Sequence, residues 1–267
     1  MPDLGHLPRA LRERTVFARL TDDESVPALL AHPDDGWDAG HGRPRPVVLW
    51  MHGRTVSKEL DPGRYLRWMR AGIATCAIDL PGHGERLDRA RHTSDQTLGV
   101  IEECVPEIDR VVEHLKDGFD GAFDTDRIAI GGMSAGGMVT LARLCEDHTF
   151  TSAAVESTAG DFSVMKGHPF FEPEAVTRLN PIERVDGWRD IPLLALHSEI
   201  DEWVPVAGIR NFIEKLRALG KDSSGVELTT WPETGAPAEH AGFGKVANEA
   251  KNIQTDFFVR TLQPESD

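Results

Sequence analysis

The chain has 267 residues, 40% of them apolar and 27% charged, which suffices for a large core around one sheet and leaves no low-complexity bulk. A net charge of −15, with a pI near 5.1, argues against a protein built to grip nucleic acid, whose affinity rests on Lys and Arg neutralising phosphates. The first twenty residues hold no apolar signal-peptide core, and the longest apolar runs, such as residues 46–51, are too short to span a bilayer. Cys76, Cys104 and Cys145 are odd in number and lie in apolar or helical settings, as free buried thiols do in a reducing compartment. A cytoplasmic protein, monomer or homodimer, with no membrane or nucleic-acid partner is expected.

In chain order, strands are predicted over 15–20 and 26–32, with no room for a helix between them, so they form an antiparallel hairpin. Residues 33–46 are rich in Pro, Gly and His and read as a surface loop. A regular alternation follows: strand 47–51, helix 60–71 closed by Gly72, strand 73–78, a Gly/Pro loop, and one long helix over 96–116. Strand 127–130, helix 135–146 and strand 152–155 come next, then an irregular stretch to 190. Strand 192–197, helix 206–219, strand 226–231 and an amphipathic helix over 243–262 complete the chain. Short β-branched runs alternating with helices predict the α/β class, with an eight-stranded, mostly parallel sheet flanked by about five major helices. No repeat or long linker divides the chain, so a single domain over 1–267 is expected, with its core over about 15–262.

The run Gly132-Met133-Ser134-Ala135-Gly136 lies between an apolar strand and a helical pattern. A serine on so tight a strand-to-helix turn is lifted above the sheet, and the small residues Gly132 and Gly136, two before and two after it, let strand and helix pass closely. The helix N-terminus adds free N–H groups and a positive dipole end, suited to developing negative charge. These features make Ser134 the candidate nucleophile. Without that chemistry the run is a Gly-rich turn with an idle serine.

A serine nucleophile needs a general base, and the base needs an orienting carboxylate. In this motif the acid and then the base follow the serine in the chain. Among the histidines downstream of the serine, His168, His197 and His240 are the ones weighed as the base. His240 follows the last strand in a loop at the carboxyl end of the sheet and is the candidate base. His197 ends a strand and reads as tied to neighbouring backbone, and His168 as a cleft-wall or surface residue. Asp201, just past the strand 192–197, is the candidate acid, with Glu199 and Glu202 as neighbours and Glu156 and Asp161 as alternatives after an earlier strand.

Upstream, His52-Gly53 ends the strand 47–51, where the backbone N–H of Arg54 can join that of Ala135 in an oxyanion hole. His52 is expected to brace this loop, and Asp79-Leu-Pro-Gly-His83-Gly84 to form a structural turn. Ser163-Val-Met-Lys166 matches S-x-x-K, but no K-T-G accompanies it. No metal-ligand or phosphate-loop motif occurs, so no metal or cofactor is expected.

Taken together, His52-Gly53-Arg54-Thr55, the Asp79–Gly84 turn, the Ser134 motif, His197 through Asp201 with Val204-Pro205, and His240 resemble the α/β-hydrolase superfamily over about residues 15–262. The chain most resembles single-domain esterases related to dienelactone hydrolases and to the catalytic domains of prolyl-oligopeptidase-type enzymes. The resemblance implies the α/β-hydrolase fold, the triad Ser134–Asp201–His240, and no large cap domain. Dienelactone hydrolases carry Cys where this chain has Ser134, and no propeller domain is expected before the hydrolase segment, unlike in an oligopeptidase. The expectation is a serine carboxylesterase taking a small-molecule ester. The alternatives are a peptidase or amidase of the prolyl-oligopeptidase type and a non-catalytic binding protein on the same scaffold. Residues 157–189, with Phe162, Phe170, Phe171 and Trp188, read equally as substrate pocket or as packing, as does Trp203.

Overall fold

A computed structural model describes residues 5, 7–23, 25–220 and 225–262. Its eight strands are β1 (Thr15–Leu20), β2 (Val26–Ala31), β3 (Arg45–Met51), β4 (Ala74–Ile78), β5 (Phe123–Met133), β6 (Ser152–Glu156), β7 (Leu193–Ser198) and β8 (Val226–Trp231). They form one sheet in the order β1-β2-β4-β3-β5-β6-β7-β8. The β1–β2 and β2–β4 pairs are antiparallel and all later pairs parallel, so the expected entry hairpin and parallel sheet are both present. The central strands β3, β4 and β6 are buried along their whole length, as strands covered on both faces must be.

Helices α1 (Arg9–Arg12), α2 (Pro62–Arg70) and α8 (Ala247–Leu262) pack on one face of the sheet around Trp50, Tyr65, Trp68 and Phe258. The other face carries α3 (Thr97–Cys104), α4 (Glu107–Asp117), α5 (Ala135–Arg143), α6 (Pro173–Leu179) and α7 (Ala207–Ala218). No helix among the described residues is long and apolar enough to cross a membrane.

Beyond shifts of a few residues at element ends and a strand β5 that spans Phe123–Met133 rather than 127–130, three differences from the sequence reading have a clear local cause. The long helix over 96–116 is two helices, α3 and α4, because Pro106 has no N–H to donate to the carbonyl of Glu102. The last helix begins at Ala247 rather than 243, since Phe243 sits at φ 63°, outside helical space. The irregular stretch contains α6, whose start is marked by Pro173 at its first position and by Glu172, which accepts from the amides of Glu174 and Ala175.

Strand order positions the site. From β3 the chain moves to β4 on one side, then returns to β5 on the other, so the crevice between β3 and β5 opens at the carboxyl ends. His52 follows β3 and Ser134 follows β5. Asp201 and His240 come from the loops after β7 and β8.

Candidate active site

Ser134 stands at φ 52°, ψ −116°, a conformation costly for a side-chain-bearing residue and imposed by its surroundings. Its amide donates to the Glu156 carbonyl of β6 at 2.8 Å, and its carbonyl accepts the Met138 amide of α5 at 2.9 Å and the Thr158 hydroxyl at 2.8 Å. A side chain on Gly132 would reach the Gly136 carbonyl oxygen at 2.6 Å, and one on Gly136 would reach the His52 carbonyl oxygen at 2.6 Å. Only glycine lets the two strands and α5 converge here.

The structure brings Ser134, His240 and Asp201 together, from positions 106 and 39 residues apart. The Ser134 hydroxyl lies 2.9 Å from His240 Nε2, and His240 Nδ1 lies 2.8 Å and 3.1 Å from the two Asp201 oxygens. A ring nitrogen facing a carboxylate carries the proton, which leaves Nε2 free to accept from the serine. Asp201 also accepts the amides of Trp203 (2.9 Å) and Val204 (2.8 Å). Burial pushes its carboxyl up, but hydrogen bonds from His197 and His240, the His240 charge and the Val204 amide outweigh that and hold it below the ordinary range.

His197 Nε2 donates to the Val204 carbonyl at 2.8 Å and so pins the Asp201 loop, the backbone role expected for it. His52 is likewise a brace. Its Nε2 accepts the Leu80 amide at 3.1 Å, which leaves the proton on Nδ1, 2.6 Å from the Gly53 carbonyl. Burial keeps this imidazole neutral by lowering its pKa. A side chain on Gly53 would meet Ser134 Cβ at 3.4 Å, so the backbone leading to Arg54 runs directly past Ser134, and Arg54 and Ala135 both line the cavity there. The Arg54 side chain turns away to the His92 carbonyl.

The remaining acidic candidates are engaged elsewhere. Glu199 pairs with Arg210, and Asp161 accepts from Ser163 and Asn211. Glu156 takes a bidentate bond from Arg64 at 2.6 and 2.9 Å, and Glu202 lines the cavity without joining the triad contacts.

Two features escaped the sequence reading. Glu239, just before His240, accepts from the amides of Thr234 (2.7 Å) and Gly235 (2.6 Å) and from the hydroxyls of Thr234 and Ser198. It clamps a turn in which Ala238 and Glu239 both take positive φ, fixing where His240 stands. The second is the buried Arg64–Glu156 pair, extended by Gln254, Asp61 and Lys251, with the guanidinium over the Trp50 ring. Burial works against the Arg64 charge, yet the carboxylates of Glu156 and Asp61 raise its pKa. Spacing in the sequence gives no sign of this network, because its members come from α2, β6 and α8.

A cavity of about 710 Å³ opens over Ser134, within the size range of small-molecule sites. Met165, His168, Pro169 and Phe170 line it, whereas Phe162 is buried against Phe170, and Trp188 packs on Phe212. The stretch 157–189 therefore serves both as pocket wall and as packing. Trp203 also lines the cavity, 54% exposed, with its ring 5.0 Å from that of His240.

A model of the prolyl oligopeptidase family matches residues 64–265, about three-quarters of the chain. The chain belongs to the prolyl oligopeptidase family. Like other members of that family, it is a serine hydrolase on the α/β-hydrolase fold. Esterase YjfP of Escherichia coli K12 is 25% identical over 214 residues, spanning 74% of this chain and 83% of that protein. Among solved structures, TT1662 from Thermus thermophilus superposes with a TM-score of 0.71 at 22% identity, over 94% of this chain and all of that one. A puromycin-hydrolyzing peptidase of Mycobacterium tuberculosis superposes with a TM-score of 0.72 at 22% identity, over 97% of this chain but 42% of that one.

Proposed function

We propose that the protein is a carboxylesterase working through a triad of Ser134, His240 and Asp201. The observation that carries the reading is the 2.9 Å contact from the Ser134 hydroxyl to His240 Nε2, with Nδ1 of the same ring on Asp201 at 2.8 Å, at the floor of the cavity. In the first half-reaction Ser134 Oγ attacks the ester carbonyl carbon while its proton passes to His240 Nε2. The amides of Arg54 and Ala135 hold the oxyanion. The acyl carbon–oxygen bond breaks, and the leaving alkoxide takes the proton from His240. Water then attacks the acyl-enzyme, His240 relays its proton back to Ser134, and the free acid departs. Asp201, held ionised, orients the ring and stabilises its charged form.

Ester rather than amide chemistry is supported by the likeness to Esterase YjfP, which extends over most of that relative's length, while the peptidase structure is matched over less than half of its own. The family's name favours a second reading, an amidase or peptidase. A panel of p-nitrophenyl esters beside a fluorogenic peptide amide separates them. The proposal expects faster turnover of short esters, and faster peptide turnover would replace it with the second reading.

A further inference from the structure

The cavity over Ser134 has two chemically different walls. Met138, Met165, Phe170 and Val204 line one side and belong to the core cluster under α3, α5, α6 and α7. Trp50 and Tyr65 line the other and belong to the cluster under α2 and α8, and beside them Asp61, Arg64, Glu156 and Lys251 reach the same cavity. These four charges, two of each sign, are paired with one another: Arg64 with Glu156 and Asp61, and Lys251 with Asp61 at 2.9 Å. The wall has no net charge to attract an ion, yet its partly exposed members, Asp61 and Lys251, offer acceptor and donor side by side. A neutral group bearing several hydroxyls, each able to donate and accept, matches such a wall; an ion or an alkyl chain does not.

The placement of His240 assigns each wall to one limb of the ester. The leaving oxygen takes its proton from His240, so the alcohol lies on that side. Ala241 and Gly242, which directly follow His240, line the cavity, and the same loop feeds α8, which carries Lys251. The alcohol therefore meets the charge-paired wall, and the acyl limb meets the methionines and Phe170.

We infer that the substrate is an ester of an apolar acid with a neutral polyhydroxylated alcohol, such as an O-acylated sugar, whose hydroxyls are read by Asp61 and Lys251, with the buried Arg64–Glu156 pair behind them. This inference rests on the ester-hydrolase reading above.

The test compares kcat/KM for glucose 6-O-hexanoate and cyclohexylmethyl hexanoate, two esters of primary alcohols that differ in the hydroxyls, with p-nitrophenyl hexanoate as a third substrate. The expected result is a preference of at least about tenfold for the sugar ester. Lys251→Met, a change at a side chain on the cavity rim, and Asp61→Asn should each cut that preference severalfold. Turnover of p-nitrophenyl hexanoate with equal or reversed rates on the other two esters overturns the polyol assignment and leaves the esterase reading standing. No turnover of any of the three overturns the esterase reading, and the assignment with it. A preference that both variants retain in full also overturns the role given to this wall.

Discussion

The amide of Ser134 donates to the carbonyl of Glu156 at 2.8 Å, so the turn that carries this serine hangs on the residue whose side chain holds the buried Arg64. Both carboxylate oxygens of Glu156 are engaged, and neither partner is accessible enough for water to replace the other. Removing one side of such a pair strands a buried charge. Glu156→Ala should cost about 3–5 kcal/mol of folding stability in urea denaturation, and Arg64→Met combined with Glu156→Leu should recover most of it. A single-variant loss no larger than that of an exposed ion pair would contradict the burial described here.

Gly136 is the tightest point of the elbow. A methyl group there would press on the carbonyls of Met51 and His52, which begin the loop carrying the Arg54 amide. Gly136→Ala should lower kcat for a p-nitrophenyl ester by about a hundredfold, since displacement of a reacting group by about an ångström costs that much. Undiminished kcat would show that the crossing is looser than it looks.

Much of this was legible in the sequence, for identifiable reasons. Hydrophobic runs of strand length between helical patterns gave all eight strands, and a serine flanked by Gly132 and Gly136 can occupy only a few backbone settings. That Asp201 and His240 lie beside Ser134 is legible because strand-end loops gather at one edge of a parallel sheet. The break at Pro106 was overlooked because Val105 and Pro106 themselves keep helical dihedrals, so the apolar pattern runs on through a missing hydrogen bond. Arg64 and Glu156 stand 92 residues apart, and nothing local marks an arginine in an amphipathic helix as one that will be buried. Glu239 looked like one more acidic loop residue, because its four donors depend on how the loop folds back.

Glu239 also gives the site a pH signature. Its donors, the Thr234 amide foremost, hold the carboxyl down at about 2, below the value near 4.3 of an unfolded glutamate. Because the folded state binds this proton less tightly than the unfolded one, the contribution is complete above about pH 5 and is lost as pH falls towards 2. The gap in melting temperature between wild type and Glu239→Gln should be widest near neutrality, narrow below about pH 4 and close only as pH approaches 2. A gap that does not vary with pH would mean the carboxylate charge plays no part in holding the loop.

In the proposed mechanism Ser134 is the attacking group, and hydrolysis of p-nitrophenyl acetate by Ser134→Ala beside wild type tests that role most directly. Wild type should turn the ester over, and the variant, folded by circular dichroism, should lose about 10⁴-fold or more in kcat. A folded variant that hydrolyses the ester at the wild-type rate would contradict the assignment.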